Sequence, residues 1–181
     1  MHRPYSLLIS LSLLSLPLLA ESPVSGIDNF SKVDESVYRG AEPTAQGFEY
    51  LSHLGVKVVL DLRHHDARAA AEERMVTAAG MRHINVPMTG MTPPTDEQIK
   101  TILALLEDPS AGPVFVHCKR GADRTGAVIA AYRIDHLNWD NGHALQDAMA
   151  NRMSKFQARR QAFIRSFQPL QTAAAPKPAT T

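Results

Sequence analysis

The stretch that decides the fold is residues 114–126, which read Val114-Phe115-Val116-His117-Cys118-Lys119-Arg120-Gly121-Ala122-Asp123-Arg124-Thr125-Gly126. The apolar run at its start is typical of a short buried strand. The pattern from Thr125 to Ile134 favours a helix. The sequence therefore predicts a strand, a loop and a helix, with the chain's only cysteine, Cys118, at the end of the strand and Arg124 beside the start of the helix.

This arrangement is suited to binding a phosphate dianion. The N–H groups of such a loop converge into an anion-binding nest, and the start of the following helix adds unpaired N–H donors and the positive end of its dipole. Arg124 supplies a planar donor fork that matches phosphate oxygens. The same positive field lowers the pKa of Cys118, which makes it a nucleophilic thiolate near neutral pH.

Each of these residues also has an ordinary explanation when it is taken alone. A single cysteine at the end of an apolar strand is usually a small buried hydrophobe. An arginine at a helix start is usually surface charge, and a lone glycine usually marks a turn. It is the combination at fixed spacing, between a strand and a helix, that favours phosphate chemistry.

The motif His117-Cys118-x5-Arg124-Thr125-Gly126 resembles the signature of the cysteine-dependent protein tyrosine phosphatase superfamily, in its dual-specificity branch. It is most similar to the atypical plant and fungal type, and the resemblance extends over roughly residues 29–167. The resemblance implies an α/β fold with a central, mostly parallel sheet flanked by helices. It also implies that Cys118 and Arg124 are catalytic and that substrate is bound by Lys119, Arg120, Gly121, Ala122 and Thr125.

Two further residues are assigned supporting roles. We expect the His117 imidazole to fix the loop and to support the Cys118 thiolate by hydrogen bonding. Arg63 follows the predicted strand 56–60, and ligands of open α/β sheets gather at that strand end, so it is a candidate phosphate-facing residue. A salt bridge to a helix is an equally good explanation for Arg63.

We expect no metal or other cofactor. His64 and His65 are neighbours and, with His83 and His117, invite a metal hypothesis. Their spacing fits no recognised ligand pattern, and adjacent histidines point in different directions on most backbones.

The rest of the chain alternates strands with helices, which predicts a parallel-type sheet covered on both faces. After an opening strand or hairpin at 33–38, we expect a helix capped by Thr44 and ending near His53, and a second capped by Thr95 over 96–107. The remaining predicted elements are strands 56–60 and 82–86 and helices 67–79, 143–152 and 155–167.

The predicted domain organisation is a signal peptide at 1–20, a linker at 21–28, the phosphatase domain at 29–168 and a disordered tail at 169–181. Arg3 precedes a Leu/Ser-rich apolar run that is shorter than the ~20 residues of a membrane span, which favours export to the periplasm or the medium over an uncleaved anchor. The net charge of +1 gives no sign of nucleic-acid binding. We expect a monomer without membrane attachment after signal cleavage. A lone cysteine also argues against an arsenate reductase, which needs more thiols.

One expected residue is missing. In most dual-specificity phosphatases the general acid is an Asp on a loop about thirty residues before the cysteine. Here that loop, residues 86–94, has no carboxylate, and Gly90 stands about where the Asp is expected. Asp123 is favoured over Asp96, by resemblance to bacterial phosphatases that use the Asp of a similar Lys-Asp-Arg-Thr-Gly segment. Alternatively, Asp123 pairs with Arg124 or Lys119, or a good leaving group makes an acid unnecessary.

The leading hypothesis is a phosphatase that hydrolyses phosphate monoesters through a cysteinyl-phosphate. The cations near the site favour a highly charged substrate such as an inositol polyphosphate, an inositol pyrophosphate or a phosphoinositide, with phosphotyrosine or dual-specificity protein substrates as the other class. One alternative is a catalytically weak phosphate-binding pseudophosphatase. Another is a rhodanese-like sulfurtransferase, which would not need Arg124 and Thr125.

Overall fold

The structure, a computed structural model, describes residue 24 and residues 26–170. A five-stranded sheet forms its centre, with strands β1 (Ser31–Lys32), β2 (Val37–Ala41), β3 (Val58–Asp61), β4 (Arg82–Asn85) and β5 (Val114–Cys118). Their order across the sheet is β1-β2-β5-β3-β4. The β1–β2 pair is antiparallel and all other pairs are parallel, which confirms the predicted mostly parallel sheet.

Within the described residues, six α-helices surround the sheet: α1 (Ala45–His53), α2 (Ala67–Ala78), α3 (Asp96–Glu107), α4 (Asp123–Asp135), α5 (Asn141–Ala150) and α6 (Ala158–Ser166). Helices α1 and α2 pack on one face, where Phe48 and Val76 join a core with Val59 and Phe115. Helices α3 to α6 cover the other face, where the core includes Val116. Side chains alternate along a strand, so neighbours on β5 belong to different cores.

Local capping explains two of the helices. The Thr44 side chain accepts a hydrogen bond from the Gly47 N–H and so starts α1. At α3, Thr95 and Gln98 form a reciprocal capping box, and the apolar stripe of the helix is buried. Both helices begin where the sequence predicts.

Helix α4 leads from the motif into the core. Every residue from Thr125 to Ile134 is buried, because α4 lies between the sheet and its neighbours α3, α5 and α6. It begins at Asp123 rather than at the predicted Thr125, so the helix N-terminus reaches further into the loop. A helix buried on all sides lacks an amphipathic pattern, which is why its start was misplaced.

The edges of the domain differ from the predicted boundaries. Ile27 is buried and the Gly26 carbonyl accepts from the Thr44 N–H at 2.9 Å, so the end of the predicted linker belongs to the packed domain. Leu170 packs against the core, and its N–H donates to the Asp135 carboxylate, although the tail was predicted to begin at 169. The predicted signal peptide and the tail from 171 onward lie outside the described residues. Within residues 26–170, no helix is both long enough and apolar enough to cross a membrane.

Candidate active site

The site is built at the carboxyl end of the central strand. Cys118 is the last residue of β5, lies opposite Ala41 in the register with β2, and is only 3% exposed. Residues 119–122 connect it to the first residue of α4. The strand, loop and helix therefore have the predicted order, with the thiol below the loop and a helix N-terminus beside it.

Gly121 gives the loop its shape. Its φ is +64°, a left-handed conformation that L side chains rarely adopt. A Cβ on this residue would lie 2.3 Å from the carbonyl carbon and oxygen of Gly40 on β2. Only glycine therefore allows the loop to lie this close to the neighbouring strand.

Two side chains outside the loop hold the Gly121 carbonyl. The Arg39 Nη2 on β2 donates to it at 2.7 Å, and the Asn29 Nδ2 donates at 3.0 Å. The same Asn29 amide donates to the Asn151 carbonyl at 3.1 Å, just after α5. The loop is thus anchored to the sheet and to the helical layer.

The pKa of the Cys118 thiol is lowered although the group is buried. Burial alone raises this pKa, but the hydroxyl and N–H of Thr125, the charge of Arg124 and the N–H of Arg120 together outweigh it. The Thr125 side chain is fully buried, and its hydroxyl has no oxygen or nitrogen partner among the described residues. Stabilising the thiolate is what a cysteine nucleophile requires.

Arg124 lies at the mouth of the site. One of its guanidinium nitrogens donates weakly to the Leu62 and Met88 carbonyls, at 3.2 and 3.4 Å. The cavity beside it has a volume of about 140 Å³ and is lined by Glu42, Arg63, His64, Asp66, Arg68, Lys119 and Arg124. Most of these side chains are basic, so the cavity is suited to an anion.

Arg63 is held by carboxylates. Its Nε and Nη2 each lie 2.9 Å from an Asp61 oxygen, Nη2 lies 2.5 Å from Glu72, and Nη1 pairs with Glu42. Despite burial, these partners raise its pKa. The salt bridge to a helix is therefore confirmed, with Glu72 of α2 as the partner. Arg63 also lines the cavity, and its role in binding phosphate stays a prediction.

His117 does not hydrogen-bond Cys118. Its ring lies in the other core, stacked on Phe115, and its Nε2 lies 2.8 Å from a Glu72 oxygen. Nδ1 has no hydrogen-bond partner among the described residues. Consecutive side chains of a strand point to opposite faces, so this outcome could have been foreseen from the sequence.

The buried groups around Glu72 form an ion-pair network that the sequence reasoning missed. Potential ligand atoms of Asp61, Glu72 and His117 lie within 4.8 Å of one another, a grouping that could hold a metal ion. Both Asp61 oxygens and one Glu72 oxygen, however, are engaged by Arg63. The Arg63 guanidinium therefore balances part of the negative charge of these two carboxylates.

Asp123 is the first residue of α4, and both of its carboxylate oxygens are engaged. Oδ1 accepts from the Ser154 N–H at 2.8 Å, and Oδ2 pairs with the Arg120 guanidinium. The sequence offered an ion pair with Arg124 or Lys119 as the alternative to an acid role, and the structure gives Arg120 as the ion-pair partner. Asp96, the other candidate acid, is exposed in the first turn of α3.

The loop at residues 86–94, which lacks a carboxylate, is hydrogen-bonded to α6 through Arg160. The sequence did not single out this arginine. This arginine is fully buried and donates to the Thr89 carbonyl at 2.6 Å and to the Gly90 carbonyl at 2.8 Å. Burial lowers its pKa, Asp123 and Cys118 oppose that shift, and Arg124 reinforces it. Arg160 therefore interacts electrostatically with the Cys118 thiol. No local pattern distinguishes it from the exposed Arg159 beside it.

Comparison with known proteins defines the class. A family model described as "DSP-PTPase phosphatase fused to NAD+ Kinase" matches residues 22–166, which is most of the chain. The chain therefore belongs to the dual-specificity branch of the cysteine-dependent protein tyrosine phosphatases, as the loop motif predicted.

Particular relatives support this placement. Dual specificity protein phosphatase TpbA of Pseudomonas aeruginosa is 33% identical over 120 residues, covering 66% of this chain and 52% of TpbA, so the chain matches about half of that relative's length. Inositol diphosphatase DSP3 of Arabidopsis thaliana is 27% identical over 143 residues, covering 77% of this chain and 70% of the relative.

Solved structures agree with the fold. The core catalytic domain of the PP-IP phosphatase SIW14 from S. cerevisiae, crystallised with citrate, superposes with a TM-score of 0.70 at 25% identity, covering 80% of this chain and 88% of that one. The crystal structure of P. aeruginosa TpbA gives a TM-score of 0.65 at 28% identity, covering 82% and 94%. The PTP-like fold is therefore confirmed.

Proposed function

We propose that this protein is a phosphatase that hydrolyses phosphate monoesters through a cysteinyl-phosphate on Cys118. The observation that supports this most is a buried thiol of lowered pKa, directly below a loop that ends at Arg124 and a helix N-terminus. A site that only bound phosphate would have no use for a stabilised thiolate.

The reaction proceeds in two balanced steps. The Cys118 thiolate attacks phosphorus, an S–P bond forms, and the P–O bond to the leaving group breaks as that oxygen takes up a proton. Water then attacks the same phosphorus, the S–P bond breaks, and inorganic phosphate leaves. Arg124 and the loop N–H groups bind the equatorial oxygens in both steps, and the Thr125 hydroxyl stabilises the departing thiolate.

Asp123 is the proposed general acid, and water is deprotonated by the same carboxylate in the second step. We favour it over Asp96 because it directly precedes Arg124 at the start of α4, whereas Asp96 lies exposed on α3. The Arg120 side chain that pairs with it is 63% exposed, so little stability is lost when the pair opens. Phosphate binding gives Arg120 another anionic partner and releases an Asp123 oxygen.

The substrate is proposed to be rich in phosphate. Lys119 and Arg68 line the cavity with Arg124, and Arg120 is exposed beside it, which is more positive charge than one phosphate needs. Relatives named as inositol diphosphatases and as a PP-IP phosphatase fit this reasoning. A phosphoanhydride also has a good leaving group, which suits a loop at 86–94 that lacks a carboxylate. Phosphotyrosine proteins are the other proposed class, since a TpbA structure contains pTyr.

Export is a separate proposal, based on the apolar segment near the N-terminus. Fractionation of cells that express the full chain tests it. Accumulation of a shortened protein outside the cytosol supports export, whereas full-length protein in the cytosol contradicts it.

The missing carboxylate in 86–94 favours one competing function, a phosphate-binding module without turnover. To separate the two, phosphate release is measured from an aryl phosphate, a phosphotyrosine peptide and an inositol pyrophosphate, with Cys118→Ser as the control. Turnover that requires Cys118 supports the phosphatase. An inert wild-type protein that still binds inorganic phosphate supports the module, and sulfur transfer from thiosulfate would indicate a sulfurtransferase.

A further inference from the structure

Arg39 is a charged residue in an unexpected place. It lies on β2 opposite Val116 of the central strand, two residues before the position paired with Cys118, and it is fully buried. Its alternation with Val37 places its side chain on the same face of the sheet as Cys118. Neither the fold nor the chemistry described above requires an arginine at this position.

The contacts of Arg39 are few for a buried guanidinium. Nη2 donates to the Gly121 carbonyl at 2.7 Å, and Nη1 lies 3.8 Å from the Asp147 carboxylate on α5. Nε and Nη1 have no hydrogen-bond partner among the described residues. Burial lowers its pKa to about 10, against the opposing effects of Asp147 and Cys118 and with a contribution from Arg133. Burying a cation with so few partners costs stability, so fold stability alone does not explain it.

The contact that Arg39 does make concerns the phosphate loop. A loop that binds an anion through its N–H groups must turn its carbonyl oxygens away from that anion. The Gly121 carbonyl is turned into the protein, where Arg39 and Asn29 both donate to it. If this peptide rotated, a carbonyl oxygen would face the phosphate in place of an N–H.

We propose that Arg39 is a positioning residue for the phosphate loop, which holds the Gly121 carbonyl on the sheet side and places a positive charge beneath Cys118. This inference rests on the proposed function, in which the loop binds phosphate and Cys118 is a thiolate. Arg39 touches neither the substrate nor the reacting atoms, and it acts through the loop and through the electrostatic field.

Other charged residues near the Cys118 thiol must be left unchanged when Arg39 is tested. Arg124 at the start of α4 lowers the pKa of Cys118. Arg160 on α6 also interacts electrostatically with Cys118, and with Asp123 of α4. Asp147, on α5, is the nearest carboxylate to Arg39. None of these residues contacts the Gly121 carbonyl, so an effect specific to that contact must come from Arg39 or Asn29.

A matched control exists in Arg133. It is 8% exposed and pairs with the same Asp147 at 3.3 Å, but it stacks on Trp139 and, within the part of the chain that the structure describes, forms no hydrogen bond or ion pair with the loop. Arg133→Met therefore removes a comparable buried cation and the same ion-pair partner. Arg39→Met, Arg39→Lys and Asn29→Ala complete the set.

The experiment follows alkylation of Cys118 by iodoacetamide across pH, with and without inorganic phosphate. In Arg39→Met we expect the alkylation midpoint to move to higher pH and protection by phosphate to weaken about tenfold. Arg39→Lys should restore the midpoint, because it retains the charge. Asn29→Ala should weaken phosphate protection alone, and Arg133→Met should leave both quantities at their wild-type values.

The inference is overturned if Arg39→Met has the midpoint and the phosphate protection of Arg133→Met. If Arg39→Met does not fold, Arg39→Lys and Asn29→Ala decide: an alkylation midpoint in Arg39→Lys that departs from the wild-type value, or wild-type phosphate protection in Asn29→Ala, overturns the inference. Neither readout needs turnover. An inert wild-type protein would therefore refute the proposed phosphatase activity without deciding the role of Arg39.

Discussion

Replacing Gly121 by alanine tests the close approach of the phosphate loop to β2. The new Cβ would lie 2.3 Å from the Gly40 carbonyl carbon and oxygen and 2.6 Å from the Ala41 nitrogen, all backbone atoms that cannot rotate away. The residue also has a φ of +64°. Gly121→Ala therefore combines a backbone clash with an unfavourable conformation.

Both penalties can be estimated. A left-handed conformation costs alanine about 1–2 kcal/mol, and forcing an extra methyl into a packed region adds about 1–3 kcal/mol. Together they amount to about 2–5 kcal/mol, which lowers the melting temperature of a domain of this size by about 4–20 °C. Because the clash is relieved only by moving the loop, phosphate release should fall more than a hundredfold.

Gly80→Ala is the matched control. Gly80 has a φ of +79°, but no atom lies within 4 Å of its added Cβ, so it carries the conformational cost without the clash. Differential scanning calorimetry and phosphate release would be measured on both variants. The reasoning is refuted if Gly121→Ala has the same melting temperature as Gly80→Ala and retains wild-type turnover.

Three further predictions concern protonation. Thr125→Val removes a hydroxyl that lowers the pKa of Cys118, so the pH midpoint of iodoacetamide alkylation should rise; an unchanged midpoint would contradict the assigned hydrogen bond. Although burial raises the pKa of Glu72, His117, His83 and Arg63 lower it from 4.5 to about 2. A carboxyl group whose pKa is lower in the folded protein stabilises the fold at any pH above its pKa in the unfolded chain, and this contribution is lost as the pH falls towards the folded-state pKa. The free energy of unfolding should therefore decline by roughly 3 kcal/mol between pH 4.5 and 2. Chemical denaturation should show a shallower decline in Glu72→Gln, and parallel curves would refute this role. Asp123→Asn should slow hydrolysis of an aryl phosphate with a poor leaving group far more than one with a good leaving group, and equal slowing would exclude Asp123 as the acid.

The parts of the fold that were predictable are those with local signals. Helix α3 has a capping box at its start and a regular apolar stripe, and both its ends were predicted correctly. The loop at 119–122 was predictable because cysteine, glycine and arginine occur at fixed offsets between a strand and a helix. Such features depend on residues within a few positions of one another.

The partners of charged side chains were not predictable in the same way. Arg39 meets a carbonyl 82 positions away, and Arg160 meets one 71 positions away. In sequence, each is a polar residue that would ordinarily be placed on the surface. Only the packing of helices and strands in the folded domain brings Arg39 to the carbonyl of Gly121 and Arg160 to the carbonyl of Thr89.

Strand alternation was a usable signal for His117. This residue precedes Cys118 on one strand, so the two side chains had to occupy different faces of the sheet. The predicted hydrogen bond between His117 and the Cys118 thiolate conflicts with that geometry, and the histidine pairs with Glu72 instead. For Arg63 the sequence allowed a salt bridge, but the partner Glu72 could be identified only from the folded structure.

Detection of the covalent intermediate tests the central claim most directly. The protein would be mixed with an aryl phosphate, quenched in acid within milliseconds, digested and analysed by mass spectrometry. The account predicts one phosphoryl group on the peptide that contains Cys118, accumulating in Thr125→Val, where the second step is slowed, and absent from Cys118→Ser. Phosphate release that persists in Cys118→Ser, or rapid turnover with no phosphorylated cysteine at any quench time, would contradict it.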